Sequence, residues 1–164
     1  DISRKMSANE LVTLLNDLFS RFDKLVAEHG AEKIKTIGDA YMVATGLKGS
    51  VADHAEKIAD LALDMQRVFG EFRADNNVDL KLRIGVHSGA VIAGVIGKQK
   101  FSYDLWGNTV NVASRMESEG VPDQIQISAE TWQLLSDRYQ SSPRGEILIK
   151  GHRPRATYLL AGRS

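Results

Sequence analysis

One short stretch of the chain places a lysine and an aspartate where they could serve a nucleotide and a metal ion. Lys35 lies near the end of an alternating stretch, and Asp39 follows Gly38 in a tight turn. Proteins bind Mg²⁺ through one or two carboxylates together with substrate phosphates. The alternative interpretation is a lysine on an edge strand and a turn-forming aspartate.

A second acidic residue lies within an aromatic, apolar run. Asp104 follows Tyr103 and precedes Leu105 and Trp106, and an acid in such surroundings is unusual unless it is paired or used. Its carboxylate could accept hydrogen bonds from an amino group of a ligand. A loop aspartate that points to water is the alternative.

Two polar residues further along are spaced as neighbours on a helix. Asn111 and Arg115 are four positions apart, which puts them on one helix face. The guanidinium offers a planar fork for phosphate oxygens, and the amide can donate or accept. The same spacing also fits a surface pair on a polar helix face.

A cationic cluster surrounds a glycine near the end of the chain. Lys150, His152 and Arg153 flank Gly151 and would suit a polyphosphate tail or form a charged turn between strands. The four histidines, at positions 29, 54, 87 and 152, show no metal-ligand spacing such as His-x-x-x-His. We therefore predict no zinc site.

Composition excludes several classes of function. Basic and acidic side chains are equal in number, 21 each, and this balance argues against a general nucleic-acid binder. The chain has no cysteine, which excludes disulfide scaffolds, thiolate metal sites and cysteine nucleophiles.

Length and hydropathy predict one domain away from the membrane. The 164 residues are about what one domain needs. The longest apolar run covers residues 40–44, far short of the roughly 20 residues of a membrane span. We expect one soluble, cytoplasmic domain over residues 1–164 that makes no membrane contact, although a parent protein could be membrane-anchored.

Four helices are predicted from apolar residues at spacings of three and four. The first ends near Gly30, a residue type that suits a left-handed stop, and the second ends near Arg73. Their expected N-caps, in chain order, are Ser7, Asp53, Asn108 and Ser128.

Two hairpins and three further strands are predicted between and after these helices. The first hairpin joins residues 33–37 to 40–44, and the second joins residues 80–86 to 91–96 across Ser88 and Gly89. The remaining strands cover residues 125–127, 147–149 and 158–160. This order predicts an α+β fold with a ferredoxin-like βαββαβ core and extra C-terminal strands and helix. Its first strand is expected to be missing, because only six residues precede the first helix.

Three stretches together resemble the catalytic domain of class III nucleotidyl cyclases. They are EKIKTIGDAYM at residues 32–42, LRIGVHSG at residues 82–89 and YDLWGNTVNVASRM at residues 103–116. The resemblance covers essentially the whole chain and is strongest to bacterial and mammalian membrane adenylyl cyclases. It implies conversion of ATP to 3′,5′-cyclic AMP and pyrophosphate.

The resemblance also implies a role for each candidate residue. Lys35 would donate to adenine N1, and Asp104 would accept from the exocyclic amine. Asn111 would orient the ribose, Arg115 would stabilise the reacting phosphorus, and Lys150 would hold the terminal phosphates.

Metal ions and a second subunit follow from the same resemblance. Asp39 matches one of two metal-binding aspartates that hold two Mg²⁺ or Mn²⁺ ions per site. The other aspartate belongs to the missing first strand, so the chain as given is expected to bind metals poorly or to be inactive. A homodimer through the catalytic face is implied, in which Asp39 comes from one protomer and the remaining site residues from its partner.

Three other functions stay open at this point, and one is a non-nucleotide interaction module of the same architecture, because fold alone does not fix function. A guanylyl cyclase has the same architecture, although its members typically carry glutamate at the position of Lys35. An inactive, nucleotide-binding regulatory domain is the third alternative, and the presence of Asp39, Asn111 and Arg115 together argues against it.

Overall fold

The structure, a computed structural model, describes residues 6–48, 51–97, 102–135, 137–149 and 153–164. These ranges form a mixed α+β domain, as predicted. The helices are α1 (Ala8–Glu28), α2 (His54–Asn76), α3 (Asn108–Ser118) and α4 (Ala129–Leu134). The strands are β1 (Glu32–Ile37), β2 (Ala40–Ala44), β3 (Ile84–Val86), β4 (Ile92–Ile96), β5 (Ser102–Trp106), β6 (Ile125–Ser128), β7 (Tyr139–Ile147) and β8 (Arg155–Arg163).

Two of the predicted helix caps are confirmed by their hydrogen bonds. The Ser7 hydroxyl accepts from the backbone N–H of Glu10 at 3.1 Å, which caps α1, and donates to the Glu10 carboxylate at 3.2 Å. Ser128 accepts from the backbone N–H of Thr131 at 3.3 Å. Gly30, with φ of +67°, stops α1 as expected.

Of the other two predicted caps, Asp53 occupies the N-cap position of α2 without the expected hydrogen bond, and Asn108 is wrong. Helix α3 begins at Asn108 itself, and Gly107, with φ of +128°, occupies the cap position. Glycine suits that position because its backbone turns sharply from β5 into the helix.

The described strands form three sheets in which antiparallel pairing predominates, as predicted. Strands β1 and β2 form one hairpin, and β4 and β5 form another. The remaining sheet has the order β3–β6–β8–β7, and its β3–β6 pair is parallel while its other two pairs are antiparallel.

The second predicted hairpin is wrong, because its two strands pair with other strands and not with each other. Strand β4 pairs with β5, and β3 is only three residues long and pairs with β6. Side chains occupy the backbone groups that a longer β3 would use: Arg73 donates to the Leu80 carbonyl at 3.1 Å, and the Asp123 carboxylate accepts from the Leu82 N–H at 3.2 Å. Alternating hydrophobicity predicts a strand but does not choose its partner.

The predicted strand at residues 147–149 is also wrong, because only Ile147 belongs to a strand and it is the last residue of β7. Most of β7 is polar and contains Pro143, so it lacks the alternation that predicts a strand. It forms at the edge of the sheet beside β8, where a proline is tolerated.

Buried residues of helices α1 and α2 and of strand β6 form much of the core. Helices α1 and α2 bury Phe22, Leu25, Leu61 and Phe72 against each other, with β2 and β3 packed on this cluster. All of β6 is buried at the centre of the four-stranded sheet. Within the described ranges, no helix has the length and apolar content needed to cross a bilayer.

Candidate active site

Lys35 and Asp104 are 69 positions apart in the chain and meet in the structure. Lys35 Nζ, on β1, lies 2.8 Å from Asp104 Oδ2, on β5. Strand β5 pairs Asp104 with Gly94 of β4, so no side chain of β4 stands opposite the carboxylate. The pair is partly open to solvent, with 38% of the Lys35 side chain and 18% of the Asp104 side chain exposed.

The Asp104 carboxylate is held at both oxygens. Oδ2 accepts from Lys35, and Oδ1 accepts from the backbone N–H of Leu105 at 2.8 Å. The hydrogen bond from the Lys35 ammonium, followed by that from Leu105, holds the pKa of Asp104 below its ordinary value. The carboxyl therefore stays ionised at neutral pH and acts as an acceptor.

Asn111 and Arg115 lie on the exposed side of α3, while Val112 and Met116 are fully buried on the other side. Arg115 Nη2 is 3.7 Å from Glu119 Oε1, a contact too long for a strong hydrogen bond. Asn111 makes no hydrogen bond to another described side chain. Both polar groups are thus available to a ligand on this side of the helix.

Asp39 lies in the two-residue turn of the β1–β2 hairpin. Ile37 pairs with Ala40, and Gly38 adopts φ of +57°, which places Asp39 at the exposed tip. Across the described ranges, no three histidine, aspartate or glutamate side chains are grouped as a metal site. A single exposed carboxylate fits a Mg²⁺ or Mn²⁺ ion whose other ligands are phosphates and water.

Lys150 lies outside the described residues. The residue before it, Ile149, is buried in a cluster with Ile147, Val112 and Met116. The chain that leads to Lys150 therefore packs against α3, the helix that carries Asn111 and Arg115.

Exposed apolar side chains lie on the same hairpins as the candidate residues, and the sequence reasoning missed them. Ile92 and Trp106 pair across β4 and β5, with Val95 and Ile96 further along β4. Ile37, next to the Asp39 turn, is 64% exposed, and Ile92 is 70% exposed. The signal was present in the nearly continuous apolar run at residues 91–96, which lacks the polar alternation of a half-buried strand.

Comparison with known proteins identifies the family. Residues 1–162 match the family described as adenylate and guanylate cyclase catalytic domain. The chain belongs to this family. It is 44% identical over 154 residues to an adenylate cyclase of Mycobacterium tuberculosis, which covers 94% of this chain. It is also 44% identical over 168 residues to retinal guanylyl cyclase 2 of Mus musculus, which covers 99% of this chain.

A solved structure agrees with the fold of this cyclase domain. The guanylate cyclase domain of RhGC from Catenaria anguillulae, in complex with GTP, is 35% identical and has a TM-score of 0.93. The match covers 99% of this chain and 90% of that one. The chain spans 35% of the length of the mycobacterial relative and 15% of the retinal one.

The cyclase domain thus brings some predicted site residues together and leaves others apart. Lys35 and Asp104 touch, Asn111 and Arg115 share a helix face, and Asp39 lies at the far end of the β1–β2 hairpin. No contact in the described part of the chain links these three groups. Their individual roles remain predictions.

Proposed function

We propose that this chain is the catalytic domain of an adenylyl cyclase, which converts ATP to 3′,5′-cyclic AMP and pyrophosphate. The observation that carries the proposal is the contact between Lys35 and Asp104. A lysine donor and an ionised carboxylate acceptor match N1 and the exocyclic amine of adenine. Guanine presents a protonated N1 and an oxo group there, so both protein groups would be left unpaired.

Base binding requires the ion pair to open. Lys35 must move far enough from Asp104 Oδ2 for the purine edge to take its place, and both side chains have the solvent exposure to allow this. Asp104 keeps its orientation during the exchange, because Oδ1 is held by the Leu105 N–H and does not depend on the lysine.

The reaction is an intramolecular attack of the ribose 3′-hydroxyl on the α-phosphorus. A bond forms between O3′ and the α-phosphorus, the bond to the pyrophosphate oxygen breaks, and the hydroxyl proton passes to water. Asn111 orients the ribose, Arg115 stabilises the extra negative charge at phosphorus, and Lys150 holds the leaving phosphates. Positioning and charge stabilisation are the main contributions that proteins make to such transfers.

Two divalent ions, Mg²⁺ or Mn²⁺, complete the proposed site. Bound there, they favour loss of the hydroxyl proton and neutralise the pyrophosphate. Asp39 supplies one carboxylate ligand from the exposed tip of its hairpin.

The site is proposed to form between two copies of the chain, joined through the catalytic face. The exposed apolar residues on the two hairpins support this arrangement, because a concentration of exposed apolar side chains marks protein–protein interaction sites. These residues are Ile37, Ile92, Val95, Ile96 and Trp106. Each of the two equivalent sites would combine Asp39 of one protomer with Lys35, Asp104, Asn111 and Arg115 of its partner.

Guanylyl cyclase is the second candidate function, and one observation favours it. The identity to the retinal guanylyl cyclase equals that to the mycobacterial adenylate cyclase, at 44%. The proposed base-reading pair argues against it, because Lys35 and Asp104 together lack the pattern that guanine requires.

A product assay of the full-length protein with ATP and GTP tests the proposal. Cyclic AMP formation with a kcat/KM at least tenfold above that for GTP is expected. A preference for GTP would establish the guanylyl alternative. No product from either nucleotide, with binding retained, would establish an inactive regulatory domain.

A further inference from the structure

The last turn of α3 is tied to the four-stranded sheet through its terminal carbonyl groups. A helix leaves its last four carbonyls without partners inside the helix. Here the Arg115 carbonyl accepts from the Glu119 N–H at 2.9 Å and that of Glu117 from the Gly120 N–H at 3.0 Å. The Met116 carbonyl, between them, accepts from the side chain of Gln126 on β6 at 3.0 Å.

Gln126 is an unusual residue for its position. It is fully buried at the centre of β6, between Ile125 and Ile127, and its Oε1 has no hydrogen-bond partner. A buried amide that leaves one polar atom unpaired is costly, and an apolar residue of the same size would avoid that cost. Its donor to Met116, the residue after Arg115, is the only hydrogen bond that its side chain makes within the described ranges.

A glycine beside Gln126 brings the helix against the sheet. Gly85 of β3 is the register partner of Gln126. A Cβ at Gly85 would lie 2.1 Å from the Glu117 backbone nitrogen and 2.5 Å from the Met116 carbonyl carbon. The backbone of α3 therefore rests directly on β3 at the turn that carries Arg115.

We propose that Gln126 is a positioning residue for the reaction, and that with Gly85 it sets the place of Arg115 relative to the reacting phosphorus. The inference rests on the proposed cyclase activity. Gln126 touches no substrate. It fixes the depth and rotation of the last turn of α3, and small misplacements of a group that acts on the transition state cost rate steeply.

Replacing Gln126 by methionine tests the role of the donor. Gln126→Met keeps the side-chain volume and burial but removes the hydrogen bond to Met116. In the full-length protein we expect kcat to fall about tenfold while KM for the nucleotide stays within about twofold, because Arg115 acts on charge that develops in the transition state.

Thr157→Val is the matched control. Thr157 is 1% exposed, lies in the same sheet, and donates to a backbone carbonyl, that of Gly145, at 2.7 Å. This variant also removes one buried bond from a side chain to the backbone, but the bond does not reach α3. We expect its kcat to stay within about twofold of the wild type. Equal losses of kcat in the two variants would overturn the positioning role.

A double-mutant cycle with Arg115→Ala separates positioning from general loosening. If Gln126 acts through Arg115, Gln126→Met lowers kcat about tenfold in the wild type and less than twofold in the Arg115→Ala background. The same tenfold loss in both backgrounds would refute the proposal. Wild-type protein that forms no cyclic nucleotide would instead refute the proposed function.

Gly85→Ala provides an independent variant, with Gly162→Ala as its control in β8. An added Cβ meets the α3 backbone at Gly85 and meets nothing within 4 Å at Gly162. Gly85→Ala is expected to lower kcat at least as much as Gln126→Met, and Gly162→Ala to leave it within about twofold. Full activity of a folded Gly85→Ala protein would contradict the proposal.

Discussion

Strand β1 carries two lysines, and each holds an aspartate from another part of the chain. Lys33 Nζ lies 3.0 Å from Asp23 Oδ1 on α1, and Lys35 Nζ lies 2.8 Å from Asp104 Oδ2 on β5. The lysine side chains are 39% and 38% exposed. The two pairs are therefore alike in their nitrogen–oxygen distance and in the exposure of the lysine.

The surroundings of the two carboxylates do separate them. Asp23 also accepts from the Tyr41 hydroxyl at 2.7 Å, and the Lys33 ammonium lies 5.3 Å from the centre of the Tyr41 ring. The phenol thus completes that pair and ties α1 to the β1–β2 hairpin. In the described part of the chain, Asp104 has only Lys35 and its neighbour's backbone N–H as partners. This difference supports the proposal that a purine edge binds beside Asp104, at a place comparable to the one that the Tyr41 hydroxyl fills beside Asp23.

The largest effect is expected from Arg115→Ala, which removes a cation that is proposed to act on the substrate. Arg115 is loosely held, with Glu119 Oε1 at 3.7 Å from its Nη2. Its removal is expected to lower kcat about 100- to 1000-fold, or about 3–4 kcal/mol of transition-state stabilisation, with little change in KM. Steady-state kinetics with ATP measure both. Lys33→Ala removes a cation from the Lys33–Asp23 pair and should leave kcat within about twofold of the wild type. Similar losses of kcat in the two variants would contradict the view that Lys33 has a structural role only.

The next largest effect is expected on the preference for ATP over GTP. Lys35→Glu combined with Asp104→Ala replaces a donor and an acceptor that match adenine. The ratio of kcat/KM for ATP to that for GTP is expected to fall roughly a hundredfold, since a polar site rejects the base that leaves its groups unpaired. Lys33→Glu makes the same lysine-to-glutamate change two residues away and should leave the ratio unchanged. An unaltered ratio in the double variant would mean that the base is read elsewhere.

Much of the local structure was predictable because it depends on residues close in sequence. The N-cap at Ser7 and the hairpin closed by Gly38 are patterns of three to five residues, and the structure has both. The family was also predictable, because the stretch at residues 103–116 is specific.

Long-range partners were not predictable in the same way. Alternation in residues 80–86 does not show that Asp123, 41 positions from Leu82, takes over one of its backbone groups. The contact between Lys35 and Asp104 was expected only through the family resemblance. Nothing in the sequence pattern marks Gln126 as bound to α3, because a buried glutamine and a solvent-facing one look alike in sequence.

Mixing two inactive variants tests whether Asp39 of one protomer and the remaining site residues of its partner form one active site. Asp39→Asn and Arg115→Ala proteins are each expected to be nearly inactive. Mixed in equal amounts, half of the dimers pair unlike chains, and each of these has one intact site of two. About a quarter of wild-type activity should return, measured as cyclic AMP formation after subunit exchange. Mixing Arg115→Ala with Asn111→Ala is the control and should restore nothing, since both residues belong to the same half-site.

Tyr41→Phe tests the Lys33–Asp23 pair, to which the Tyr41 hydroxyl is bound, and should affect stability rather than activity. The change removes the hydrogen bond to Asp23 and keeps the ring under Lys33. The free energy of unfolding, measured by urea denaturation, is expected to fall by about 1 kcal/mol, with the ATP to GTP ratio unchanged. A shift in that ratio would show that the two pairs on β1 are coupled.

The smallest expected effect is the loss, at low pH, of the stability that the Lys35–Asp104 pair contributes. Because the pKa of Asp104 in the folded protein is held below its ordinary value of 3.8, its ionised form stabilises the fold above that pH, and this contribution disappears as pH falls through the lower, folded value. The stability difference between wild type and Asp104→Asn should therefore be constant from pH 7 to about pH 4 and shrink below it. Urea denaturation at a series of pH values measures the difference. A difference that grows on acidification would mean that the pKa of this carboxyl is raised in the folded protein, and it would count against the acceptor role proposed for Asp104.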